Sequence, residues 1–219
     1  MDALDKQLAE VSSQRGEEWH NHRNGKFTAS EIHRLMTAPK DKTESLSEGA
    51  KTYALEKVTE RITGLPCSTV DTWAMQWGVD HEDEARQSFV LKTGLIVEQS
   101  GFVTFGDDAG GSPDGVIPIV NSGIEIKCPA NSKNHVEHLL ITSQEYFKKY
   151  FKEYYWQCQM NMMCCKADNW WFCSFDPRFP EDKKLFIFKV EKNELDHTDL
   201  QVKIKAAIEY ATELIYKLK

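Results

Sequence analysis

Two carboxylates and a lysine lie close together in the middle of the chain. Asp114 sits in Gly111-Ser-Pro-Asp-Gly115, and Glu125 and Lys127 sit in Gly123-Ile-Glu-Ile-Lys-Cys-Pro129. Residues two apart on a β-strand project from one face, so Glu125 and Lys127 share a side and Ile126 points the other way. If the flanking strands pair through the Asn121-Ser122-Gly123 turn, Asp114 at the far end of its strand can approach Glu125. Two carboxylates joined by a backbone carbonyl make a hard oxygen set of the kind Mg²⁺ takes while keeping several waters. A cation held there would polarise a phosphodiester and acidify a bound water. Lys127, a compact charge, would orient that water and stabilise negative charge growing on the phosphoryl oxygens. Glu-x-Lys on a strand is also a common solvated ion pair. Here the neighbours are apolar, the strand reads as sheet interior, and burying two idle charges would cost several kcal/mol.

The elements that must position these groups are legible from spacing and punctuation. Thr28-Ala-Ser-Glu31 has the form of a capping box opening a short helix to about Met36. Ser47 can cap a longer helix that leaves through Gly64. A helix is expected from Asp71 to Lys92, closed by Gly94. Leu95–Phe105, Gly115–Val120 and Gly123–Cys128, rich in Val, Ile and Phe, read as three strands of one sheet. A helical stretch over Ser143–Lys166 precedes two more strands, Trp170–Phe175 and Leu185–Val190. Apolar residues at 200, 204, 207, 208, 211, 214 and 215 give the segment from Leu195 to Lys219 helical spacing. The fold class is therefore α/β, a mixed central sheet flanked by helices.

Bulk properties limit the alternatives. A chain of 219 residues, 41% hydrophobic, without repeats or linkers, suits a single domain over residues 1–219. No apolar run is long enough for a membrane span, and the charged N-terminus lacks a secretory core, so a cytoplasmic location is expected. Six cysteines at 67, 128, 158, 164, 165 and 173 form no C-x-x-C pair and read as reduced core thiols. None of the seven histidines has ligand spacing; His135 and His138 are expected to share a solvated helix side. The net charge of −7 argues against a simple basic glove for nucleic acid, although a local field can differ from the sum.

Pro113-Asp114, ten intervening residues and Glu125-Ile-Lys127 resemble the core of the PD-(D/E)XK nuclease superfamily. Trp19-His20, Arg23, Thr28-Ala-Ser-Glu31, Trp77-Gly78, Glu82-Asp-Glu-Ala-Arg86, Gln157-Cys-Gln159 and Asp176-Pro-Arg178 follow in the order of the lambda exonuclease family. The resemblance spans about residues 15–190, ahead of the C-terminal helix.

It implies Asp114, Glu125 and the Ile126 carbonyl as metal ligands, with Mg²⁺ or substituting Mn²⁺, and Lys127 as the catalytic lysine. It implies Glu82 near a second metal or its waters, and Gln157 as a group positioning the attacking water. Arg23, Ser30 and Ser112 match a pocket for a 5′ phosphate, and Met75 matches an apolar wedge between the strands. Independent readings stand beside these. Ser30 would lie in the first turn of a helix, where free N–H groups favour an anion, and Arg23 could add a forked guanidinium or be a surface arginine. Glu82 and Arg86 have the spacing of a helix ion pair. Gln157 has polar neighbours at Gln159 and Asn161, and Met75 suits a core.

The expected activity is 5′→3′ digestion of one strand of linear double-stranded DNA to 5′ mononucleotides, leaving 3′ overhangs. A ring-shaped homotrimer, a single-strand annealing partner and a phage or prophage origin in a bacterial host are further implications. An endonuclease of the same superfamily and an idle module that binds DNA ends are the rivals. Two features depart from the family. The basic residue after the first short helix has no clear register at Lys40 or Lys42, and the Asp114–Glu125 spacing is one residue longer.

Overall fold

The computed structural model describes residues 22–67 and 72–218; Trp19-His20, Asp71 and Lys219 lie outside the described residues. Mixed sheets are flanked by helices, as the strand and helix patterns imply, but there are two of them where a single central sheet was expected. The smaller contains β1 (Phe27–Thr28), β2 (Val103–Phe105) and β3 (Ala109–Gly111) in the order β1-β3-β2, with β1 parallel and β2 antiparallel to β3. The larger contains β4 (Gly115–Ile117), β5 (Ser122–Lys127), β6 (Asn169–Phe175) and β7 (Leu185–Glu191) in sequential order. Within this larger sheet the β5–β6 pair is parallel and the β4–β5 and β6–β7 pairs are antiparallel.

Helix α1 (Glu48–Thr63) starts where Ser47 Oγ accepts from the Ala50 N–H and ends at Gly64, whose φ of 71° is left-handed. Helix α2 (Trp73–Thr93) is capped by Thr72 and closed by Gly94 in the same conformation. Further α-helices among the described residues are α3 (Ser132–Leu139), α4 (Gln144–Tyr150), α5 (Lys152–Cys165) and α6 (Glu194–Lys217). Strand alternation divides the core. Ile124 and Ile126 join Ala85 and Phe89 of α2 on one side of the large sheet. On the other side Trp170 and Phe172 pack with the aromatic and methionine side chains of α4 and α5. Among the described residues, no helix is long and apolar enough to cross a membrane.

Several expectations need correction. Thr28 makes no side-chain cap bond, and residues Ala29–Arg34 form a 3-10 helix rather than an α-helix. The Thr28 N–H that a capping-box glutamate would take is bonded to Tyr53 Oη at 3.0 Å, and Glu31 faces Arg34 instead. Of Leu95–Phe105, only 103–105 is a strand, and it belongs to the smaller sheet; 95–102 contributes one isolated bridge, Glu98 to Val116. Residues Pro118–Val120 turn as a 3-10 helix. The stretch 143–166 is two helices, because Phe151 leaves helical geometry (φ −124°, ψ 50°) and packs its ring against Phe147, Tyr154 and His138.

His135 and His138 are buried, not solvated: both Nδ1 atoms lie 2.7 Å from Ser174 Oγ, and His135 Nε2 lies 2.9 Å from the Lys183 carbonyl. Helix α3 thus packs its histidines against β6. All six cysteines are free, but Cys67 is exposed rather than a core thiol.

Candidate active site

The β4–β5 hairpin sets Gly115 opposite Ile124. Asp114, one residue earlier, therefore meets the level of Glu125, and its Oδ2 accepts from the Ile126 N–H at 2.6 Å. Glu125 and Lys127 lie on the α5 side of the sheet, two residues apart, with Lys127 Nζ donating to Glu125 Oε1 at 2.7 Å. Lys127 also donates to Gln157 Oε1 of α5 at 3.3 Å and lies over the Tyr154 ring. Asp114, Glu125, Lys127 and Gln157 are thereby brought together.

The electrostatics follow from this crowding. Burial, and then the charge of Glu125, push the Asp114 carboxyl up to about 7. Burial also raises Glu125, against the opposing pull of Lys127. Burial disfavours charge on Lys127, but Glu125 and Asp114 outweigh it and hold the ammonium protonated. Two acids that resist ionising together, one of them 1% exposed, form a site whose full ionisation calls for an added positive charge. Together with the Ile126 carbonyl they are the hard oxygen donors that suit a divalent cation. Among the described residues there is no group of three or more His, Cys, Asp or Glu arranged to hold a metal ion. Glu82 Oε1 accepts from Arg86 Nη2 at 2.7 Å, and its negative charge acts on Glu125. Arg86 Nη2 also donates to the Asp114 carbonyl at 3.3 Å, which ties α2 to the acid pair. The i,i+4 ion pair and the neighbourhood of the site are thus both present.

Arg23 reaches across the small sheet to two hydroxyls, Nη1 to Ser112 Oγ at 3.2 Å and Nη2 to Ser30 Oγ at 3.3 Å. Burial lowers its pKa, while Tyr53 and then the carboxylates of Glu31, Glu60 and Glu125 oppose that shift. The three residues assigned to an anion pocket therefore converge, and Ser112 lies two residues before Asp114. Met75 is exposed on α2, seven residues before Glu82 and so on the same stripe of the helix. Lys40 and Lys42 lie exposed in the loop before α1.

Sequence reasoning gave no role to three groups. Asn161 is fully buried and donates to Glu125 Oε2 at 3.2 Å; its four-residue offset from Gln157 was the available signal. Tyr154, three residues before Gln157, lies under the lysine. Arg178 grips Asp176 and the Pro129 and Ala130 carbonyls and stacks on Trp77, so it joins the end of β5 to α2.

Comparison with known proteins agrees with this architecture. The model of the YqaJ-like viral recombinase domain matches residues 18–168. An alkaline exonuclease (LHK-Exo) from Laribacter hongkongensis is 30% identical, with TM-score 0.77, covering 93% of this chain and 96% of that one. The structure of LHK-Exo in complex with dAMP gives TM-score 0.78 at the same identity and coverage. A phage-related exonuclease from Haemophilus somnus 129PT, 17% identical, shares the fold with TM-score 0.76, over 91% of this chain and 99% of that one. Comparison with curated proteins gave no match.

Proposed function

The chain belongs to the YqaJ-like viral recombinase family, and we propose that it is a Mg²⁺-dependent exonuclease that removes 5′ mononucleotides from one strand of linear double-stranded DNA. The observation that carries this reading is the pairing of two sites. An arginine bracketed by two serine hydroxyls lies next to a buried Asp–Glu–Lys cluster, with Ser112 and Asp114 on one short segment. A terminal 5′ phosphate gripped by Arg23, Ser30 and Ser112 would direct the next phosphodiester of the strand toward the acids. The 30% identity to LHK-Exo, and the dAMP bound in one of its structures, support a nucleoside monophosphate as product.

Asp114, Glu125 and the Ile126 carbonyl would hold the cation, whose contribution when bound is Lewis acidity toward the phosphoryl oxygen and toward water. Lys127, fixed between Glu125 and Gln157, presents its ammonium to the negative charge that develops at phosphorus. Gln157 and Lys127 together orient the water. In hydrolysis the water oxygen bonds to phosphorus, the P–O3′ bond breaks, and the leaving 3′ oxygen takes up a proton. The shortened strand keeps a 5′ phosphate, the anion that Arg23 can grip again. Glu82, held by Arg86 beside Asp114, would steady further cation-bound water, and Met75 on the same helix stripe would wedge the strands apart.

A homotrimeric ring with a positive inner surface would reconcile the −7 charge with a DNA substrate. A single-strand annealing protein is the proposed partner, and the cytoplasm of a bacterial host the proposed location. The test is digestion of end-labelled linear duplex, with and without Mg²⁺, beside covalently closed circles. Mg²⁺-dependent loss of the 5′-ended strand with intact circles is expected; cleavage of the circles would make the protein an endonuclease instead.

A further inference from the structure

Glu125 is gripped at both oxygens. Lys127 donates to Oε1, and the Asn161 amide donates to Oε2 from the opposite side. Resting on the nuclease reading above, we propose that Asn161 is a positioning residue for the reaction, fixing the carboxylate plane of Glu125 from within the core.

Facing the ionised Glu125, the amide can take only one orientation. Exchanging its nitrogen and oxygen would set two acceptors, Oδ1 and Glu125 Oε2, against each other at about hydrogen-bond distance. The chosen orientation leaves Asn161 Oδ1 buried with no hydrogen-bond partner, an arrangement that lowers stability and that an apolar leucine of the same branching would avoid. The chain makes room for this amide. A Cβ at Gly111 would lie 2.2 Å from Asn161 Oδ1 and 3.1 Å from the Ala29 Cβ, so glycine at the end of β3 is what lets the side chain fit. Asn161 is therefore wedged between Glu125 and the strand that runs on to Ser112 and Asp114. Without its bond, Glu125 keeps the Lys127 contact alone and can rotate its carboxylate about the last side-chain torsion.

The experiment compares wild type with N161L, which removes the donor and the orphan acceptor together. The positioning role predicts a folded N161L with an unchanged KM for duplex ends. Its kcat should fall about tenfold or more, equivalent to roughly 1.4 kcal/mol. Calorimetric titration with Mg²⁺ should show weaker binding than wild type. Wild-type kcat and Mg²⁺ affinity in folded N161L would overturn the proposal. If N161L does not fold, N161A and N161V replace it: unchanged KM with lowered kcat and weaker Mg²⁺ binding in the folded variant supports the proposal, and wild-type kcat and Mg²⁺ affinity refute it. Failure of the nuclease reading itself appears separately, as a wild-type protein that cleaves no DNA with any divalent cation.

Discussion

Replacing Arg23 with alanine should slow removal of the first nucleotide from a 5′-phosphorylated duplex far more than from a 5′-hydroxyl duplex. The guanidinium is desolvated by burial and spans Ser30 and Ser112, so its two outer nitrogens are already aimed into one pocket. A phosphate entering there would replace contacts to neutral hydroxyls with charge-assisted ones, which are shorter and roughly twice as strong. One such bond is worth about 1.5–3 kcal/mol, which corresponds to a factor of about 10 to 150 in rate. A 5′-hydroxyl end carries no charge at this position, so its digestion should change far less. Single-turnover release of the first nucleotide from the two labelled duplexes measures the ratio directly. Equal slowing on both ends would remove Arg23 from the phosphate pocket and leave it a purely structural residue.

Two further predictions concern proton linkage. Asp114 binds its proton more tightly folded than unfolded, so the metal-free protein should lose stability as pH rises from about 4 through about 7. In urea melts with EDTA, D114N should gain on wild type across that window, and added Mg²⁺ should recover stability in wild type but not in D114N; parallel pH curves would contradict this. His138 behaves oppositely: burial, then His135 and Lys127, lower it from 6.5 to about 4. The stability it contributes is present above 6.5 and lost as pH falls to about 4, roughly 3 kcal/mol in full. H138Q should flatten that acid limb, and an unchanged limb would locate the titration elsewhere.

What the sequence revealed and what it concealed divide along physical lines. Side-chain alternation on β5 and a short hairpin are local rules, and they suffice to set Asp114, Glu125 and Lys127 together. Ser47, Gly64 and Gly94 mark helix ends because each acts on backbone within a turn of itself. The capping box at Thr28 failed because a residue from another element, Tyr53, took the N–H it required. The break at Phe151 likewise reflects ring packing that helical periodicity does not encode. His135 and His138 looked like polar helix residues; their shared partner, Ser174, is 36 residues or more away. Asn161 was hidden for the same reason, since its meaning lies in Glu125 and Gly111 across the core.

The central claim is that Lys127 acts on the bond being broken, and K127A tests it most directly. Cleavage of end-labelled duplex with Mg²⁺ is measured beside end binding by the same protein. The account predicts cleavage reduced by about 10²-fold or more, the scale for losing one charge-stabilising donor, while ends are still bound. Wild-type cleavage by folded K127A would contradict it.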